Sequence, residues 1–187
     1  MKIIRKGTFE TNSSSTHSYT VCSISKTLDT LYPDANGILT IKGNDFGWEF
    51  EQYNDVYSKV SYVATLINEC LESLEDIAIN SEWIKKYIPD SLFDGDKPII
   101  KDKMKSLFES VIKDHTGCNE IVYETEDCYV DHQSWDSGCD ILGFTYEEMK
   151  NFLFNPGSTL YTGNDNSTLV WDNGRLVDSS DLEDGED

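Results

Sequence analysis

Between Phe9 and Tyr19 the chain reads FETNSSSTHSY, a run in which Glu10, Thr11, Asn12, Ser13, Ser14, Ser15, Thr16 and His17 all carry groups that can do chemistry. Consecutive hydroxyls, an amide and the backbone N–H groups of a turn can cradle an anion without help from lysine or arginine. Glu10 at one end is a proton acceptor, and His17 at the other is a proton donor for whatever is bound. The same composition also suits a Ser/Thr-rich turn whose side chains bond their own backbone. Spacing alone leaves both readings open.

Three further polar stretches carry candidate residues. In Tyr129-Val130-Asp131-His132-Gln133-Ser134, strand alternation sends Asp131 to the face opposite His132, so it does not orient that ring, while His132 and Ser134 share a face. His132 is one of only three histidines, and the bland alternative is an ordinary strand histidine with its hydrogen bonds satisfied. Gly163-Asn164-Asp165-Asn166-Ser167 has the residues of a hairpin turn, with Asp165 as the group able to meet a substrate. Asp90 with Asp94-Gly95-Asp96 lacks the spacing of a calcium loop and is expected to be a solvated linker. His115, beside Asp114, is expected to favour a helix C-terminus through the helix dipole. There is no phosphate-binding P-loop, no dinucleotide fingerprint, no nucleophile elbow and no zinc-protease motif.

The elements that must position these strings change period along the chain. KIIRKGTFE, SYTVCSI, Ile38–Lys42 between the Asn36-Gly37 and Gly43-Asn44 turns, and the aromatic FGWEFEQY read as an N-terminal β-meander. Then Val56, Val60, Val63, Ala64, Ile67, Cys70, Leu71 and Leu74 recur at helical spacing, with Asn54 or Asp55 as the cap. SEWIKKYI predicts a short helix ending before Pro89. A third helix is expected from about Ile99 to His115 and to stop at Gly117. Strand character returns at EIVYETEDCYVDHQSW, Thr145 and Glu148 spell a capping box for TYEEMKNFLF, and STLYTG and STLVWD read as strands before the Asp172-Asn173-Gly174 turn. Strands, then helices, then strands predict an α+β fold. Its sheet is mainly antiparallel, with two to four helices inserted between N-terminal and C-terminal strands, in one domain over residues 1–177.

Composition restricts what such a domain can do. The chain has 187 residues, with 35 acidic against 15 basic, a formal net charge of −20. That charge repels free nucleic acid at long range but suits docking into a basic groove on another protein. Residues 178–187 carry part of the excess and are expected to be a flexible acidic tail. Five cysteines without a C-x-x-C pair fit a reducing compartment, with Cys22 and Cys70 as small core residues. No apolar run is long enough to span a bilayer and the start lacks the apolar core of a signal peptide, so a cytoplasmic protein is expected.

The string FETNSSSTHS after a basic start, together with YVDHQS and TGNDNS, resembles a family of small proteins from phages and mobile elements. Relatives of that kind include anti-CRISPR proteins that disable type II effector nucleases, some by shortening the guide RNA. The three strings cover about a tenth of the chain. The resemblance implies a counter-defence protein whose partners are a CRISPR effector, its guide RNA, or both. It also implies one site in which His17, His132 and Glu10 move protons. Asn12, Ser13, Ser14, Ser15, Thr16, Ser134 and Asp165 would bind the substrate there. A variant with magnesium on Glu10, Asp131 and Asp165 stays open beside the metal-free one. So does a non-enzymatic alternative, in which the acidic surface mimics nucleic acid and blocks a nucleic-acid-binding protein.

Overall fold

A computed structural model describes residues 18–20, 31–47, 51–80, 88, 90–130, 141–162, 169–172 and 175–178. They form an α+β fold. Three strands, β1 (Ser18–Thr20), β3 (Glu51–Tyr53) and β7 (Thr159–Thr162), make an antiparallel sheet in the order β1-β7-β3. β2 (Ile38–Lys42) pairs in parallel with β6 (Glu120–Glu124), from Ile38 opposite Glu120 to Lys42 opposite Glu124. The other pairs are antiparallel: β4 (Phe93–Asp94) with β5 (Lys97–Pro98), and β8 (Leu169–Asp172) with β9 (Arg175–Asp178).

The predicted N-terminal meander is therefore corrected. β1 and β3 do not pair with β2; both pair with β7, which arrives from the far end of the chain. β2 takes β6 as partner in the parallel sense, which requires a long crossover, and the helices between the two strands supply it. The turn predicted across residues 163–167 lies outside the described residues. Both edges of β7 are already occupied, and β8 turns instead to β9. Asp178, expected to begin the tail, closes β9 opposite Leu169.

The helical expectations fare better, because they rest on local signals. α1 (Val56–Thr65) starts at Asp55, whose carboxylate accepts from the Ser58 N–H at 2.8 Å. It runs through a π-helical turn (Leu66–Cys70) into α2 (Leu71–Asn80). All eight residues of the predicted stripe, from Val56 to Leu74, are buried. α3 (Ile100–Thr116) ends where Gly117 adopts φ 71°, a left-handed conformation that suits glycine, and its N–H bonds the Lys113 carbonyl at 2.8 Å. α4 (Tyr146–Phe154) starts with the predicted capping box: the Thr145 hydroxyl accepts from the Glu148 N–H, and the Glu148 carboxylate accepts from the Thr145 N–H. Residues 81–87, most of the predicted SEWIKKYI helix, lie outside the described residues.

Two smaller expectations change. His115 does lie in the last turn of α3, but its ring stacks on Phe154 with centroids 3.6 Å apart. Burial and then Lys150 lower its pKa, which disfavours the cation that the helix dipole would favour, and the ring packs against Phe154. The Asp90–Asp96 stretch is exposed at Asp94, Gly95 and Asp96, yet it is structured as a 3-10 turn (Asp90–Leu92) and the β4–β5 hairpin.

The core joins the helices to the three-stranded sheet and to the β2–β6 pair. Phe46 is 1% exposed and meets Tyr53 and Tyr62 edge-on, with ring centroids 5.5 Å and 5.3 Å away. Truncating such a ring costs about 3–5 kcal/mol, from lost transfer energy and the cavity left behind. Phe46→Ala is accordingly expected to lower the urea midpoint by that amount of stability at an unchanged m-value. A loss below about 1 kcal/mol would show that the ring is not a close-packed part of the core.

Candidate functional site

Every residue chosen from the sequence lies outside the described residues: Glu10, Asn12, Ser13, Ser14, Ser15, Thr16 and His17 before β1, His132 and Ser134 after Val130, and Asp165 after Thr162. The same holds for Asp131, so the carboxylate set suggested for magnesium has no described member. Among the described residues, no group of three histidine, cysteine, aspartate or glutamate side chains is placed to hold a metal ion. What the structure does place is the point at which each string joins the fold.

Ser18, the last residue of FETNSSSTHS, opens β1 opposite Tyr161, and Thr162, the first of TGNDNS, closes β7. Because the two strands are antiparallel, the chain enters β1 at the end of the sheet where it leaves β7. The first and third strings are therefore rooted side by side, although 144 residues separate Ser18 from Thr162 (162 − 18).

The root of the second string is tied to the same neighbourhood. Phe46 and Val130 form a parallel bridge, and the Phe46 N–H donates to the Tyr129 carbonyl at 2.8 Å. The Phe46 ring then touches Tyr53, which pairs with Leu160 of β7. YVDHQS thus leaves the described fold one aromatic ring away from the sheet that anchors the other two strings.

Several groups hold the approach to Val130. In the π-helical turn, Glu69 accepts from the Thr125 hydroxyl at 2.8 Å, and the Cys70 thiol approaches the Val130 carbonyl at 3.8 Å. The extra residue in a π turn moves the side chains after it around the helix, which brings both of these to the Thr125–Val130 segment. Gly43 permits the close passage of this segment, since a Cβ there would lie 2.7 Å from the Cys128 sulfur. Burial pushes the Cys128 thiol pKa up, with Asp45, Glu69 and Asp127 adding to the effect, which disfavours the reactive thiolate.

β7 is held from beneath. The Lys59 ammonium is fully buried and donates to the Asn155 and Ser158 carbonyls, both at 3.1 Å, in the turn that leads into β7. The Thr159 hydroxyl donates to the Asn54 amide oxygen at 2.5 Å, tying β7 to the entry of α1.

Beside the paired roots lies a cluster that the motif reading passed over. Glu51 and Tyr53 alternate along β3 and so share a face, and the register sets Glu51 opposite Thr162. The Tyr53 hydroxyl donates to Glu51 Oε2. The Thr162 hydroxyl, on a residue with no exposure, lies beside the same phenol and has no hydrogen-bond partner within bonding geometry among the described residues. The available sequence signal was the i, i+2 spacing of a carboxylate and a phenol in FGWEFEQY.

Comparison with protein-family models, with curated proteins and with solved structures found no match to this chain. Among the described residues, no helix is long and apolar enough to cross a membrane.

Burial first, then the hydrogen bond and charge of Glu51, raise the Tyr53 phenol well above its ordinary pKa. Burial and Glu109 do the same for Tyr123. A raised folded-state pKa gives stability that is complete below the unfolded phenol value of about 10. It is lost as pH rises from there through the folded value, because the unfolded chain releases a proton that the native state retains. Tyr53→Phe is expected to flatten the decline of the urea midpoint above pH 10. The same decline as in wild type would mean that Tyr53 ionises as a free phenol.

Proposed function

We propose that this chain is a phage-type counter-defence protein, an anti-CRISPR inhibitor of a type II effector that cleaves guide RNA in the host cytoplasm. The reading is supported by one observation: two polar strings far apart in sequence are rooted side by side on one small sheet, at Ser18 and Thr162, and the third leaves at Val130, bridged to Phe46, whose ring meets Tyr53 of that sheet. A site assembled from such strings suits a phosphodiester. Hydroxyl and amide donors from Asn12 to Thr16 hold the phosphate and the charge that grows on it, and Ser134 and Asp165 line the other strings.

Cleavage without metal needs a base for the 2′-hydroxyl proton and an acid for the leaving 5′ oxygen. His17 and His132 suit these roles because imidazole changes charge near neutral pH, with Glu10 as a further proton acceptor. Magnesium on Glu10, Asp131 and Asp165 is the metal-dependent form of the same reading.

The charge balance favours a second, non-enzymatic reading. With 35 acidic and 15 basic residues, at least 20 carboxylates have no lysine or arginine of their own to pair with. Such a surface suits a basic nucleic-acid groove whether or not cleavage follows.

One experiment separates the two. Labelled guide RNA, with and without effector, is incubated with wild type, His17→Ala and Glu10→Ala. Shortened RNA is expected with wild type, and a rate lower by about 10²–10⁴-fold with each variant, the usual contribution of a positioned acid or base. Full-length RNA in every lane, with inhibition intact in both variants, would overturn cleavage and leave the mimic. Inhibition by the mimic would saturate near equimolar protein and weaken at high salt. Loss of cleavage on adding EDTA would select the magnesium form.

A further inference from the structure

The last turn of α3 meets α4 along one seam. Tyr146, Lys150 and Phe154 stand at i, i+4 and i+8, so they share a face of α4. At one end of that face the Tyr146 hydroxyl donates to the Asp114 carboxylate at 2.8 Å. At the other end the His115 ring lies flat on Phe154, with centroids 3.6 Å apart and planes 13° from parallel. Lys150 stands between them, and its charge reaches His115. The seam leads directly to the sheet. Asn155, the residue after Phe154, gives its carbonyl to the buried Lys59 ammonium, and β7 begins soon after at Thr159.

A neutral imidazole suits this place better than a cation. Phe154 is buried, so a charged ring stacked on it gives up part of its water. Lys150 meets it from the facing helix as a like charge. The carboxylates of this stretch of α3 are engaged elsewhere: Asp114 with Tyr146, and Glu109 with Lys113 and Tyr123. Glu147 and Glu148 lie in the first turn of α4, at the end away from Phe154. Attraction of a cation to the face of Phe154 acts in the other direction. Burial and Lys150 outweigh it and hold the His115 pKa below its ordinary value.

We infer that the His115–Phe154 stack is an acid-sensitive latch: with a neutral ring it holds the end of α4 against α3 and steadies the entry to β7, and with a protonated ring it loosens that entry. The latch is independent of the function proposed above. Its direction follows from where the proton binds more readily. The unfolded chain, whose histidine titrates near the ordinary 6.5, takes up the proton before the native state does. The stability given by the stack is therefore complete above pH 6.5 and is lost as pH falls through the folded value.

The test follows the full chain by NMR from about pH 8 to about pH 5, reading the His115 ring and the backbone amides of Phe154 and β7. The ring is expected to titrate below 6.5, and the Phe154 and β7 amides to shift with the same midpoint. His115→Phe keeps a ring on Phe154 but cannot take up a proton. Its Phe154 and β7 amides are expected to lose that titration, and its urea midpoint to fall less than that of wild type over the same range. Lys150→Gln, at an exposed position, is expected to move the ring midpoint up towards 6.5. If His115→Phe does not fold, Lys150→Gln decides. The latch is overturned by a wild-type ring midpoint at or above 6.5, or by one that ignores Lys150→Gln. It is overturned equally by β7 amides that do not follow the ring, or that titrate unchanged in His115→Phe.

Discussion

Double pairing of β7 is the constraint on which the arrangement depends. A four-residue strand takes β1 on one edge and β3 on the other, joining the N-terminal chain to a segment more than a hundred residues later. So short a strand holds such long loops closed only if it is also fixed by other contacts. The buried Lys59 ammonium grips the turn before it at Asn155 and Ser158, and the Thr159–Asn54 hydrogen bond holds its first residue. Burying a lysine is costly unless its donors are met, and backbone carbonyls meet two of them here. The desolvation cost is accepted where it fixes topology.

The parallel pair β2–β6 answers a different need. Its strands are linked through α1, α2 and α3, so their register reflects how the helices pack as well as how the strands match. The Phe46–Val130 bridge extends that parallel direction beyond β6 and delivers the chain to the neighbourhood of β3. Phe46 therefore works twice, as a core ring between Tyr53 and Tyr62 and as the backbone clamp on Tyr129. The π turn supports the same clamp from the helix side through Glu69 and Cys70. A regular helix would present these two side chains elsewhere, which gives the irregularity a physical role.

The acidic character of the chain sits easily with this interior. The surface ion pairs found among the described residues, Lys42–Glu124, Lys101–Glu72 and Lys113–Glu109, are exposed or half-exposed. Such pairs are worth roughly 0–1 kcal/mol each, so the fold gains little from its charges. Among the described residues, apolar helix faces and buried aromatic rings supply the stability.

The sequence by itself determined the caps of α1 and α4, the stop of α3 and the buried face that runs from α1 into α2. Asp55, Gly117 and the Thr145–Glu148 box act within a turn of the residues they cap, and the Val56–Leu74 stripe needs only helical periodicity to declare its buried face. Strand positions were legible too, at Ile38–Lys42, Glu120–Glu124 and Thr159–Thr162, because alternation is also local. Strand partners were not, since pairing is decided by groups far apart in the chain. Nothing within SYTVCSI or FGWEFEQY announces that both will flank β7 rather than each other. His115 shows the same limit: its place in the last turn was legible, but its stacking on Phe154, supplied by another helix, was not. Only the tertiary structure could set the roots of two polar strings side by side on one sheet with the third one aromatic ring away, and only it could place the buried Thr162 opposite Glu51. Chemistry that depends on long-range pairing becomes visible when the pairing is known.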